Sequence, residues 1–318
     1  MQLRSLARAE IWRGLALEAA TARRSLGYGQ EQPLSWTLPT DLRERARLVW
    51  PCAYDWEHAH EWMDSLADGF RQHLHVEYAD LPQQFRHIVT AVLWLDGCSR
   101  TIAIDYSDYP EVEGLCLDEV DSYFKMQFAN SGYSSERVVP GGFVSRGREL
   151  YRYLPVVRKI RDQSAFRYDV YGAFSSDYAR DVRQRALQLL TNQDLFRFEG
   201  GSNVLRYSSF LEKVARSKVC IDLPGNGPFC FRLVEYLAAG SCIVAAPHAA
   251  RLHVPLVDAE HLLYASPDLS DLPPIAAELV AQDDRRELLA ANARDFFDRY
   301  LHPRQLAAYY LSTALQLG

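Results

Sequence analysis

Residues 218–247, KVCIDLPGNGPFCFRLVEYLAAGSCIVAAP, constrain the fold more than any other part of the chain. A β-branched apolar run ends in the turn Pro224-Gly225-Asn226-Gly227-Pro228. A helical pattern carrying one Arg and one Glu follows, stops at Gly240 and gives way to a second apolar run, CIVAAP. Strand, crossover helix and strand in so short a span form a βαβ unit with parallel strands. Parallel strands are buried on both faces, so the rest of the chain has to supply helices that cover them.

The remaining sequence repeats that alternation. Strands are expected at 46–52, 74–80 and 100–110, with helices at 55–73 and 116–133 and a short strand at 137–144. The turn-rich stretch PGGFVSRG (140–147) marks a break. After it come a helix at 148–162 kinked by Pro155, a strand at 166–174, a helix at 177–191, a strand at 195–200 and a helix at 207–217. The βαβ unit and a group of terminal helices then close the chain. The pattern predicts an α/β fold of two Rossmann-like domains, 1–144 and 145–318.

Charge and cysteine content exclude some functions. The 318 residues carry a net charge of −6, with a pI near 5.9. Generic nucleic-acid binding would call for a basic excess. Local arginines between 137 and 167 run against that balance. The six cysteines, at 52, 98, 116, 220, 230 and 242, show no CxxC or Cys/His metal spacing. They read as buried free thiols in a reducing compartment. With no apolar run of spanning length and no signal-peptide core, a cytoplasmic protein is expected. Near the N-terminus, Leu3, Leu6, Ala7, Ile11, Leu15 and Ala19 fall on one helical face, with Arg4, Arg8, Arg13, Arg23 and Arg24 elsewhere. A membrane-surface or nucleic-acid arm would show this pattern too, but Glu10 and Glu18 on the polar side and the overall acidity favour an amphipathic helix docked on its own domain.

The glycine turn after VCIDL lies where parallel sheets bind ligands, beyond the carboxyl end of a strand. Gly225, Asn226 and Gly227 let the main chain bend and approach a ligand. The next helix offers free N–H groups and a positive dipole end to an anion. Arg232 suits a diphosphate and Glu235, on the same helix face, a pair of sugar hydroxyls. The same spacing also fits a plain i,i+3 surface pair beside a turn.

FRLVEYLAAGSCIVAAP resembles the donor-binding helix and following strand of GT-B glycosyltransferases, in the group-1 and spore-maturation-type branches. The tail from LVDAEHLLYASPD to the final helix, and SGYSSERVVPGGFVS, are similar to segments of the same families. DEVDSYFKMQF resembles a pattern of exostosin-like transferases. The resemblance is best over residues 120–315. It implies two domains facing a central cleft, with the last helix packed back on the first. It implies a nucleoside-diphosphate sugar, held without a metal or other cofactor, as donor. Glu235 would hold the ribose, and Arg232, with Arg146 or Arg148, the diphosphate. The acceptor would be a glycan, a natural product, a protein or a modified nucleic-acid base.

Retaining members often carry a Glu eight positions before the ribose Glu, where this chain has Gly227. An inverting enzyme would need a general base near the acceptor. Asp55, His58, His60, Asp105 and Asp108 are the candidates, each also readable as a structural or surface residue. Asp121 and Lys125, four apart in the expected helix at 116–133, read as an ion pair. Two other functions fit the same pattern: a GT-B-like binding protein without catalysis, and a sugar-nucleotide epimerase.

Overall fold

Runs rich in Val, Ile, Tyr and Trp build two sheets, and helices cover both. The computed structural model describes residues 2–22, 32–175, 177–202 and 205–316, with side chains from residue 11 onward. It is a mixed α/β structure with two parallel-rich sheets. α1 (Gln2–Thr21) and the single turn α2 (Leu42–Arg45) precede β1 (Ala46–Pro51). α3 (His60–Phe70) leads to β2 (His75–Ala79), followed by β3 (Ile88–Leu95) and β4 (Cys98–Asp105). α4 (Gly114–Glu119), β5 (Ser122–Lys125) and β6 (Val138–Pro140) complete a six-stranded sheet ordered β2-β1-β3-β4-β5-β6.

α5 (Glu149–Asp162) begins the second alternation. β7 (Tyr168–Ala173), α6 (Arg180–Thr191), β8 (Phe198–Gly201), α7 (Tyr207–Ala215) and β9 (Ser217–Asp222) follow. α8 (Phe231–Ala239), β10 (Cys242–Ala245) and β11 (Leu263–Tyr264) come next, then α9 (Leu272–Ala281), α10 (Asp283–Phe296) and α11 (Pro303–Gln316). The second sheet has five strands in the order β11-β10-β9-β7-β8, every pairing parallel. α8 ends as its sequence predicts: Gly240 takes φ 71°, and the N–H of Ser241 reaches the Tyr236 carbonyl at 2.9 Å. Arg158 and Arg161 of α5 are buried beneath it and donate to the carbonyls of Ala238 and Gly240. They are internal caps, unavailable to an outside phosphate.

The first sheet departs from the sequence expectation in two places. β3 was not expected, and it runs antiparallel to both β1 and β4. It joins β4 through Asp96-Gly97, both at positive φ (51° and 83°), the geometry that lets a two-residue hairpin match strand twist. The segment expected as one helix at 116–133 is instead α4 followed by β5. Ser122, Tyr123, Phe124 and Lys125 are all buried between β4 and β6, so burial on both faces overrides the helical spacing. Lys125 therefore does not pair with Asp121, whose carboxylate accepts the Thr101 N–H at 2.7 Å.

The terminal helices cross over. α1 packs on α7 and α5, beside the second sheet. Its buried positions are Gly14, Leu17 and Thr21, whereas Ile11 and Ala19 face outward. Leu3, Leu6, Ala7, Arg23 and Arg24 lie outside the described side chains. A Cβ at Gly14 would stand 2.3 Å from the Ser209 hydroxyl, so the helix docks on its glycine rather than on the expected apolar stripe. α11 packs on α3, beside the first sheet. There Tyr310 stacks on Phe124 at 4.1 Å, and Tyr309 and Tyr310 donate to the carbonyls of Pro140 and Gly141. Cys116, Cys220 and Cys242 are buried, but Cys52 and Cys98 are exposed.

Candidate active site

A cavity of about 1170 Å³ lies at the carboxyl edge of both sheets. Residues after β1, β4, β5 and β6 line one side, and residues after β7, β8 and β9 the other. Because β3 is antiparallel, its leading segment, Gln84 to His87, reaches the same edge.

On the second-sheet side, the loop between β9 and α8 forms the wall, with Gly225 and Asn226 facing the cavity. Gln127 fixes this loop, donating to the Phe229 carbonyl and accepting its N–H, both at 3.0 Å. Arg183 of α6 donates to the Pro224 carbonyl at 2.9 Å and the Ser175 carbonyl at 2.6 Å. Arg232 donates to the Leu223 carbonyl at 2.9 Å, while its Nε is buried without a partner. Burial and the neighbouring Arg232 charge both pull the Arg183 guanidinium below its ordinary pKa. Two crowded guanidinium groups therefore stand beside the start of α8.

Glu235 lines the same cavity one helical turn on, and accepts from the Tyr207 hydroxyl at 2.9 Å. Burial pushes its carboxyl up to about 7. The Tyr207 hydrogen bond, the charges of Arg146 and Arg232 and an Arg146 main-chain hydrogen bond pull in the other direction without offsetting it. Arg146 also lines the cavity, with its side chain largely in solvent near Glu61.

Gly227 has a steric role. A Cβ there would lie 2.5 Å from the Gln127 amide and 2.8 Å from the Asp108 carbonyl. The carbonyl is main chain and cannot rotate away, so no carboxylate side chain fits at this position. Gly227 shapes the loop and does not line the cavity.

The first-sheet wall carries Asp55, Trp56, His58, Trp62, Arg86, His87, Tyr106 and Asp108. Asp55 accepts the His87 main-chain N–H at 2.8 Å and the Tyr106 hydroxyl at 2.6 Å. Burial raises the Asp108 pKa, opposed by a hydrogen bond from Asn226 and by the His87 and Lys125 charges. His58 sits beside Glu61 at 3.7 Å with a mostly exposed side chain.

Three sequence candidates lie elsewhere. Asp105 is buried, accepting from the Tyr123 hydroxyl at 2.6 Å and Lys125 Nζ at 2.8 Å, and its charge is already paired. His60 and Arg148 line a separate cavity of about 590 Å³ on the other side of the 57–64 segment. Arg148 pairs there with Asp68 at 2.7 Å, because α5 points its first turn toward α3. Arg183, Tyr207, His87, Tyr106 and the two tryptophans were not singled out from sequence. Each reaches the site through tertiary packing alone.

The chain matches no family model and no curated protein. Among solved structures it is similar to the crystal structure of WaaG, a glycosyltransferase involved in lipopolysaccharide biosynthesis. The identity is 15%, over 52% of each chain, with a TM-score of 0.34. The matched part spans about half of that protein's length.

Proposed function

We propose that the chain is a glycosyltransferase moving a sugar from a nucleoside-diphosphate donor to an acceptor hydroxyl. In this reading it divides near residue 145 into an acceptor-side and a donor-side domain facing one cleft, in the GT-B manner. One observation carries the reading: Arg183 and Arg232 meet the glycine turn at the start of α8, one helical turn from the buried carboxyl of Glu235. A diphosphate neutralises the guanidinia and takes the N–H groups of α8. Glu235 and Tyr207 offer oxygens to the ribose hydroxyls. The cavity, about 1170 Å³, exceeds the usual size for a single small ligand, leaving room for an acceptor against the first-sheet wall.

The chemistry follows from charge. As the sugar–oxygen bond breaks, the diphosphate gains negative charge, and fixed guanidinia stabilise that state more than the intact donor. The arginines fill the role of a cation, so turnover is expected to persist in a chelator.

Calorimetric titration with UDP, GDP, ADP and dTDP tests the donor site. Saturable binding of at least one is expected, and Arg232→Ala should weaken it about 10- to 100-fold, the loss of one charge-assisted contact. Failure of all four to bind, or an unaffected Arg232→Ala variant, would refute the donor site. Binding without nucleotide release from any donor sugar would leave a binding protein and no enzyme.

A further inference from the structure

We infer that Cys230 is a modification site, a thiol set to exchange with an anionic small-molecule disulfide of the glutathione class, and that the adduct closes the start of α8 to phosphate. The thiol site stands on its own geometry, and its effect on phosphate rests on the donor reading above.

Cys230 is the N-cap residue of α8, half-buried, and it lines the cavity. Its sulfur caps no helix N–H. Two guanidinia stand around it. A Cβ on Gly225 would lie 3.8 Å from Arg183 Nη2 and 3.9 Å from Cys230 Sγ, so nitrogen and sulfur border the same spot over the glycine turn. Arg183 is 3% exposed and lines the cavity. Its Nε and Nη1 donate to carbonyls, whereas Nη2 meets no oxygen among the described residues and the group turns to the Cys230 sulfur instead. Arg232 Nε is buried with no hydrogen-bond partner. Burial works against the charge on Arg232, and Cys230 is the strongest of the groups that outweigh it. Asp222 acts on both cations too, but it is buried and outside the cavity lining. Guanidinium nitrogens that lack an oxygen, around a sulfur within reach of a ligand, leave a place for an anion beside that sulfur.

The other five cysteines lack this setting. Burial pushes the Cys116 and Cys242 thiols up to about 12 and the Cys220 thiol up to about 11, as in inert structural cysteines. Cys52 and Cys98 are exposed. Arg71 and Arg148, in the cavity beside Cys52, are engaged by Asp68, and Cys98 opens β4 at the edge of the first sheet away from the site. Reactive cysteines occupy electropositive, partly exposed surroundings, and Cys230 has both properties.

The step balances. The Cys230 thiol gives its proton to solvent, and its sulfur attacks one sulfur of the disulfide. That S–S bond breaks, and its electron pair leaves on the departing glutathione thiolate. A new S–S bond joins Cys230 to the half that stays, so Cys230 is oxidised and the departing half reduced. The carboxylates of the bound half then lie against Arg183 and Arg232, where the diphosphate would sit. A thiol reductant reverses the reaction.

The test treats the reduced full chain with glutathione disulfide and follows each cysteine by peptide mass spectrometry. Cys230 should gain the glutathionyl group about tenfold or more sooner than Cys52 or Cys98. With rates normalised to free glutathione, a dianionic aryl disulfide should react at Cys230 about tenfold or more faster than dicationic cystamine. Arg232→Gln should flatten that ratio. In calorimetry with whichever nucleoside diphosphate binds best, modification should weaken affinity about tenfold or more, and dithiothreitol should restore it. The affinity of Cys230→Ser should not respond to the disulfide. Earlier modification of Cys52 or Cys98, equal rates for the anionic and cationic reagents, or unchanged affinity after complete modification of Cys230 would each overturn the inference. Selective, charge-dependent modification of Cys230 in a protein that binds no nucleoside diphosphate would uphold the thiol site and refute the donor reading.

Discussion

The Glu235 carboxyl, 2% exposed, keeps its proton up to about pH 7, whereas in an unfolded chain it would lose it near 4.5. Between those values the folded state binds more protons, so stability falls as pH rises through the window and levels off above it. The whole effect is on the order of 3 kcal/mol, from about 1.4 kcal/mol per pH unit. Glu235→Gln keeps an oxygen for Tyr207 but cannot ionise. Its melting temperature should vary less than the wild type's between pH 5 and 7.5, and should exceed it at pH 8. Parallel melting curves for the two proteins would rule out a buried, titrating Glu235. At this scale the sequence was informative where chemistry is local. Gly225, Asn226, Arg232 and Glu235 share one turn and one helix, and their relative placement follows from helical geometry. His87 and Arg183 reach the cavity from elements far off in the chain, and nothing in their neighbours announces it.

Elements show the same division. The βαβ unit of β9, α8 and β10 was legible because a glycine turn and a C-terminal glycine punctuate it. The β3–β4 hairpin was missed although Asp96-Gly97 between apolar runs is a strong hairpin signal. That omission hid His87, since only an antiparallel β3 brings its first residues to the ligand-binding edge. β5 was mistaken for helix because a strand buried on both faces has no alternation to read. Helix contact gives a sharper test. A Cβ on Gly69 of α3 would lie 2.2 Å from the Pro303 carbonyl oxygen of α11 and 2.6 Å from its carbon. Both are main-chain atoms, so the helices must separate. Gly69→Ala should cost about 1–3 kcal/mol in urea unfolding, even after the gain in helix propensity. Gly114→Ala, whose Cβ would meet nothing within 4 Å, serves as the unstrained control. Equal midpoints for the two variants would mean that this contact is not tight.

In the whole molecule, the two alternations of strand and helix were evident from sequence, but the landing sites of the terminal helices were not. An amphipathic stripe says that a helix docks and leaves the partner open. With α1 on the helices of the second sheet and α11 on those of the first, each half carries a piece of the other's end of the chain. Such an exchange couples them, so calorimetry should record a single unfolding transition, moved as a unit by Gly69→Ala. Two transitions, only one of them shifted, would mean that the halves unfold independently.

Gln127 also bears on how anything gets in. Its two hydrogen bonds to Phe229 are buried, and Gly227 lies too close to Gln127 for even a methyl group between them. Parting the walls along that line would cost about 1–3 kcal/mol for each polar group left bare. Like a book bound along one spine, the cavity is held shut along the Gln127 contact, so its two walls are expected to part elsewhere along the cleft.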